Sequence, residues 1–356
     1  MLDDLIQRLA DRHPLSSGEV ADAVQSLIDE TVAVEAKADF LTALARKGES
    51  TGEIAAFARE LRARSIPVPV DSGTRQQDVL DVVGTGGDRL GTFNISTCTA
   101  LVAAAAGVPV AKHGNRAVTS QTGSADVIEA LGIRFDLTPT EAAAALHEHR
   151  FVFLFAPAYH PAFRHIAPAR KLCASRGQRT IFNLLGPLLN PALPSVALVG
   201  VPDPALCEPF ARVLQELGLR RAMVVSGHVP AWEGEPPAAL DEFSTLGPTT
   251  VAEFHHDRGL AVSMFDPALL PLQPAKLTDL RGGDREANAQ IIREILAGRE
   301  RGPKRDAVLL NAAAALFLAG QTESILEGWE RAGGLIDSGT AAATLAALTR
   351  PQPVSA

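Results

Sequence analysis

The chain has 356 residues, 46% of them hydrophobic and 21% charged, the balance of a globular chain long enough for about two domains. A formal net charge of −8 and a pI near 5.6 argue against general attraction to nucleic acid or membrane surfaces, so any phosphate affinity has to be local. Cys98, Cys173 and Cys207 are too scattered for a disulfide framework or a zinc pattern. The start, Met1-Leu2-Asp3-Asp4-Leu5, lacks the basic flank and apolar core of a signal peptide, and the longest apolar run, over 100–111, is too short for a bilayer. A cytoplasmic location is the expectation.

Residues 1 to about 65 predict helices with short turns, and Ser16 with Glu19 makes a capping box ahead of Val20, Val24, Leu27 and Ile28. A Pro-rich polar loop over 67–74 sets the principal boundary and precedes a strand at 79–83. Short apolar runs at 108–111, 152–155, 196–201 and 222–225 then alternate with helical stretches and read as strands buried on both faces. The fold class is therefore α/β: a small helical domain plus a large α/β domain with a central, mainly parallel sheet. The stretch 157–191 breaks the alternation. Alanine-rich helices are expected over 306–320 and 341–348, and 351–356 reads as a tail.

The chemistry concentrates in two loops. Asp81-Val82-Val83-Gly84-Thr85-Gly86-Gly87-Asp88, followed by Thr92-Phe93-Asn94-Ile95-Ser96-Thr97, reads as a strand, a glycine turn and a hydroxyl-rich helix start. Glycines let backbone N–H groups approach anionic oxygens, and the helix N-terminus adds free donors and partial positive charge. A dinucleotide fingerprint needs glycine where Arg89 stands, and a P-loop needs lysine where Thr92 stands. Phosphate is indicated; NAD and ATP are not. The second loop, from Lys112-His113-Gly114-Asn115-Arg116-Ala117-Val118-Thr119-Ser120 to Ser124-Ala125-Asp126, mixes cations, an amide and hydroxyls around glycines, which suits a polyanion carrying a sugar.

In these two loops the chain resembles the anthranilate phosphoribosyltransferase family. The resemblance continues in order through Phe155-Ala156-Pro157, His160-Pro161-Ala162, Pro168-Ala169-Arg170, Arg179-Thr180-Ile181-Phe182-Asn183-Leu184-Leu185-Gly186-Pro187, Asn190-Pro191, Leu240-Asp241-Glu242-Phe243-Ser244, Leu280-Arg281-Gly282-Gly283-Asp284 and Asp306 to Ala313. It covers nearly the whole chain. It implies transfer of a phosphoribosyl group from phosphoribosyl pyrophosphate (PRPP) to anthranilate with Mg²⁺, the second step of tryptophan biosynthesis from chorismate, in a homodimer. It also implies that 157–191 completes the small domain begun by 1–70, with 75–156 and 192–350 forming the PRPP-binding domain.

Carried over residue by residue, the resemblance assigns PRPP to Gly84, Gly87, Asp88, Thr92, Asn94, Ile95, Ser96, Thr97, Lys112, His113, Gly114, Asn115, Arg116, Ala117, Val118, Thr119, Ser120 and Ser124. Anthranilate falls to Gly84, Asn115 and Arg170, whose planar guanidinium suits a carboxylate, and the metal to Ser96, Asp241 and Glu242, hard oxygen donors that suit Mg²⁺. An isolated Asp-Glu step is most often a solvated surface pair; here its flanking Leu240, Phe243 and Ser244 favour function. Asp88 is open between ribose binding and loop stabilisation, His113 and His160 between lining the acceptor entrance and structural hydrogen bonding. No residue is assigned as a general base. Two departures stand out: about three extra residues between Arg170 and Arg179, and an insertion over 228–239 that bears on access to Asp241 and Glu242. A pyrimidine nucleoside phosphorylase and a non-enzymatic nucleic-acid-binding relative are the competing functions.

Overall fold

The computed structural model describes residues 2–117, 121–232, 234–256 and 258–349. Four helices open the chain, α1 (Leu2–Ala10), α2 (Ser17–Ile28), α3 (Val34–Lys47) and α4 (Thr51–Ala63). The expected capping box starts α2: Ser16 Oγ accepts the Glu19 N–H while the Glu19 carboxylate accepts the Ser16 N–H, filling donors that a helix start otherwise leaves open. Ser50 and Glu53 repeat the device at α4. Glu53 is buried and also accepts Lys47 Nζ at 2.6 Å and the Leu15 N–H at 2.9 Å, so one carboxylate ties three segments of the bundle.

Where a loop over 67–74 was expected, Asp71 caps a helical turn, α5 (Ser72–Arg75), by accepting the Thr74 N–H. The sheet begins with β1 (Leu80–Gly84), followed by α6 (Ile95–Ala105), β2 (Val110–Gly114), α7 (Ser124–Leu131), α8 (Pro139–His149) and β3 (Phe151–Phe155). Helices α9 (Ala156–Tyr159), α10 (Ala167–Ser175) and α11 (Phe182–Leu185) fill the interval before β4 (Val196–Gly200), and α12 (Cys207–Glu216) leads to β5 (Arg221–Val229). Strands β6 (Ala238–Leu240), β7 (Thr249–His255) and β8 (Gly259–Phe265) come next, then α13 (Arg285–Leu296), α14 (Pro303–Leu318), α15 (Ile325–Asp337) and α16 (Thr340–Leu348).

The strand order is β3-β2-β1-β4-β5-β7-β8, with β6 beside β5. The first five strands pair in parallel, and β6, β7 and β8 add an antiparallel flank. Both faces of the parallel part are covered. In β4, Val196 and Leu198 point into the core under α6 and α14, while Ala197 and Val199 join the apolar cluster of α2, α4 and α12, the period-two alternation of a pleated strand. Helix α14 is buried along most of its length and packs on α6 and α15. Helix α10 packs on α3, and buried Lys37 joins that contact by donating from Nζ to the His165 carbonyl at 3.2 Å.

After β1 the chain moves to β2 and β3 on one side, then crosses to β4 on the other. The carboxyl ends of β1 and β4 thus flank the point where the winding direction reverses, the place where open α/β sheets present a crevice.

Candidate active site

Gly84 and Gly200 are register partners at the carboxyl ends of β1 and β4. A Cβ on either would collide with Asp241, so two glycines here let an acidic residue lie directly on the strand ends. Beyond them the backbone turns through left-handed conformations at Gly86 (φ 71°) and Gly87 (φ 92°), which glycine adopts without steric cost. The run from Leu280 to Gly283 braces the descent from this turn into α6. Phe93 N–H donates to the Leu280 carbonyl at 3.0 Å and Gly282 N–H to the Gly91 carbonyl at 2.9 Å, and Thr92 pairs with Arg281. Asn288 accepts the Gly283 N–H at 2.8 Å and donates to the Asn94 side chain at 3.0 Å, while Thr122 Oγ1 donates to the Gly283 carbonyl. One segment therefore holds the glycine loop, the start of α6 and the end of the second loop together. Ile95 and Thr97 of that helix start are buried, and Ser96 faces the crevice.

The acidic pair arrives from the other side. Strand β5 continues to Val229, the insertion turns back through a Trp232–Glu235 bridge, and β6 returns antiparallel with Gly227 opposite Leu240. Asp241 and Glu242 follow at once. Asp241 Oδ2 accepts the Gly86 N–H at 2.7 Å, and Glu242 Oε1 accepts the Ser96 N–H at 3.0 Å in the first turn of α6. Burial, with the charges of Asp88 and Glu242 alongside, drives the Asp241 carboxyl well above the ordinary carboxylate range. Burial likewise pushes Glu242 up to about 7, against the opposing pull of Lys112 and the Ser96 N–H.

Lys112 is buried on β2, and its Nζ donates to the Val82 carbonyl at 2.5 Å and to Ser96 Oγ at 3.2 Å. Desolvation lowers its pKa, opposed by Asp81, Glu242 and Asp241. Crowded carboxylates with a hydroxyl beside them fit a divalent cation. Among the described residues no three His, Cys, Asp or Glu side chains form a ready-made cluster for a metal. An open, partial donor set of this kind suits Mg²⁺, which keeps several waters and shares substrate phosphate oxygens.

The strands β1 and β2 pair through Leu80 and Val110, and beyond that point side chains span the gap between them. Buried Asp81 accepts the His113 N–H at 3.3 Å and Asn190 Nδ2 at 2.8 Å; the same Nδ2 donates to the Ala111 carbonyl at 2.7 Å. In the second loop the Asn115 carbonyl accepts from Ala125 N–H and Ser124 Oγ, which anchors the loop on the start of α7. Gly114 and Gly123 give Ser124 and the backbone of Arg116 and Ala117 their room. The Arg116 guanidinium is taken up by Asp126 at 2.9 Å and Glu129 at 3.0 Å, and Ala117 N–H also donates to Asp126. Val118, Thr119 and Ser120 lie outside the described residues.

A run of rings leads away from His113. Its imidazole meets that of His160 edge-on at 5.3 Å, His160 stacks on Phe163 at 5.3 Å, and Phe163 meets Phe182 at 5.6 Å. The Arg170 guanidinium lies 5.2 Å from the Phe182 ring centre, within range of a cation–π contact, and among the described residues no carboxylate pairs with it. Burial depresses His113 to about 3 and His160 to about 4, so both are neutral at working pH. The Nε2 atoms of both are buried without a hydrogen-bond partner.

Sequence reasoning gave no role to four residues that shape this site. Arg179 sets its Nη2 3.4 Å from the position a Gly87 Cβ would occupy, a cation over the glycine loop. Asn190, Asn288 and Asn311 hold β2, Asn94 and Phe243 respectively. Arg179, Asn190 and Asn311 do stand in the motifs that carry the resemblance, which was the available signal; Asn288 does not.

The architecture and crevice are those of a two-domain glycosyl transferase. Residues 3–65 match the helical bundle domain of the glycosyl transferase family and residues 76–342 its a/b domain. The anthranilate phosphoribosyltransferase of Thermomicrobium roseum is 45% identical over 343 residues, covering 96% of this chain and 94% of its own. A crystal structure of the Thermus thermophilus enzyme of that name superposes with a TM-score of 0.85 at 40% identity, over 97% of this chain and 98% of that one. The Saccharomyces cerevisiae enzyme in complex with PRPP and Mg gives 0.85 at 28% identity, over 98% and 96%. The chain belongs to the anthranilate phosphoribosyltransferase family, enzymes that transfer a pentosyl group.

Proposed function

We propose that the chain transfers the phosphoribosyl group of PRPP to anthranilate, giving N-(5-phosphoribosyl)anthranilate and pyrophosphate, the second step of tryptophan biosynthesis from chorismate. One observation carries this reading: the glycine loop, the N-terminus of α6 and the acidic pair Asp241 and Glu242 converge on one crevice at the carboxyl ends of β1 and β4. The Gly86 and Ser96 N–H groups are donors for phosphate oxygens, and Lys112 and Arg179 supply positive charge beside them. Ser96, Asp241 and Glu242 would hold Mg²⁺, which when bound neutralises charge on the departing diphosphate.

On the acceptor side, His113, His160, Phe163 and Phe182 make an apolar wall for an aromatic ring, and Arg170 offers two parallel donors to its carboxylate. The amine of anthranilate is neutral at working pH and attacks without prior loss of a proton, so orientation does most of the work. No side chain is assigned as a general base. Movement of the helical bundle about 67–78 would close the crevice and exclude water. Cytoplasmic location and a homodimer complete the proposal; among the described residues no helix is long and apolar enough to cross a membrane.

The test is a product assay with PRPP, Mg²⁺ and a panel of aromatic amines and nucleobases. Phosphoribosylanthranilate and pyrophosphate are expected with anthranilate. Folded protein that forms neither, yet cleaves thymidine in phosphate, is a pyrimidine nucleoside phosphorylase.

A further inference from the structure

We propose that Asp241 and Glu242 also act as a selectivity filter on the phosphate-binding donors, admitting a diphosphate only in company with a divalent cation and turning away orthophosphate, sulfate and cation-free diphosphates. The filter presupposes the donor-substrate reading above. In the structure a carboxylate oxygen already sits on the Gly86 N–H of the left-handed turn at 2.7 Å, and another on the Ser96 N–H of α6 at 3.0 Å. These are the positions an incoming phosphate oxygen would take.

The placement is built in from both sides. Gly84 and Gly200 have no Cβ to push Asp241 off the strand ends, and Asn311 grips both backbone groups of Phe243 directly after the pair. A bare diphosphate therefore meets occupied donors beside three crowded carboxyl groups, those of Asp88, Asp241 and Glu242, which oppose the approach of a further anion. Of the two cations beside these donors, the Lys112 ammonium is already spanning Val82 and Ser96, and Arg179 lies over the glycine loop at Gly87. When the two carboxylates turn onto a divalent cation, both N–H groups come free for phosphate oxygens and the cation offsets the charge of the pair. The pair thus competes with the anion in one state and recruits it in the other.

Isothermal titration with inorganic pyrophosphate, in EDTA and in MgCl₂, tests this on the full chain and on two variants. The unmodified protein should bind pyrophosphate with Mg²⁺ and far more weakly in EDTA. Asp241→Ala combined with Glu242→Ala should tighten binding in EDTA by about tenfold or more, the scale of freeing hydrogen-bond donors to a charged acceptor, and should lose the Mg²⁺ enhancement. Asp88→Ala removes a neighbouring charge but frees neither the Gly86 nor the Ser96 N–H, and should gain less than about threefold. A double variant no tighter than the parent in EDTA, or an Asp88→Ala gain as large, overturns the filter while Mg²⁺-dependent binding by the parent leaves the donor-substrate reading standing. A parent that binds no pyrophosphate even with Mg²⁺ overturns both. Should the double variant not fold, the ¹⁵N amide resonances of Gly86 and Ser96 in the unmodified protein decide: both should shift with pyrophosphate only when Mg²⁺ is present, and a shift of equal size in EDTA overturns the proposal.

Discussion

Asn311 bonds both backbone groups of Phe243, accepting its N–H on Oδ1 at 2.9 Å and donating from Nδ2 to its carbonyl at 3.1 Å. A side chain from a buried, alanine-rich helix thereby plays the part of a neighbouring strand for the residue that follows Glu242. Its Nδ2 also reaches the Ala307 carbonyl of its own helix at 2.9 Å, which fixes the amide's orientation.

Asn311→Leu keeps the branched heavy-atom outline of the side chain but strands a buried N–H and C=O at Phe243. Each unsatisfied group costs about 1–3 kcal/mol, so urea denaturation should show a loss of roughly 2–6 kcal/mol. Turnover measured well below the unfolding transition should fall as well, since Asp241 and Glu242 lose their anchor. Normal turnover in a destabilised variant would show that the anchor serves the fold alone.

Asp241→Asn with Glu242→Gln should abolish most magnesium-dependent turnover while the melting temperature holds or rises. The first effect follows from removing hard, charged oxygen donors, and the second from relieving carboxylates crowded against one another. An unchanged magnesium dependence of the rate would place the cation elsewhere.

Arg170→Ala should weaken anthranilate use by roughly tenfold to more than a hundredfold, the range of a charge-assisted bidentate contact, and leave PRPP binding nearly unaltered. Titrating each substrate at saturation of the other separates the two. Loss of PRPP affinity with normal anthranilate dependence would make Arg170 a phosphate or structural residue.

Asp81 gives a pH-dependence of stability with a definite sign. Burial raises its pKa to about 6, outweighing Asn190, Lys112 and the His113 N–H, whereas the unfolded chain has a value of about 3.9. Between those values the folded state keeps a proton that the unfolded state has released. Its contribution to stability therefore falls as pH rises from about 4 to about 6 and is flat above, a change on the order of 3 kcal/mol. Asp81→Asn should remove that slope from urea-denaturation stabilities measured across the range; parallel curves for the two proteins would refute it.

The parallel strands were legible in the sequence because burial on both faces leaves dense apolar runs, as in Val196-Ala197-Leu198-Val199. The flank β7–β8 was not: Thr249, Glu253 and His255 interrupt the first, and Val262 and Met264 of the edge strand are exposed. The extension of β5 through Ser226, Gly227 and His228 was missed for the same reason, a polar run being made a strand by its partners. At the site, the glycine loop and the acidic pair were visible as compact motifs. The asparagines that hold them were not, because each works on a partner far along the chain, Asn288 on Asn94 and Asn190 on Asp81. A single asparagine carries no trace of such a partner in its local pattern.

The pairing of Gly227 with Leu240 and of Val229 with Ala238 separates the length of the inserted excursion from the position of the acids. Residues between 230 and 237 leave and rejoin the sheet at fixed rungs, so they can lengthen, shorten or carry a grafted tag without displacing Asp241. That makes the excursion between β5 and β6 a practical insertion point for an affinity handle or fluorophore close to the acidic pair.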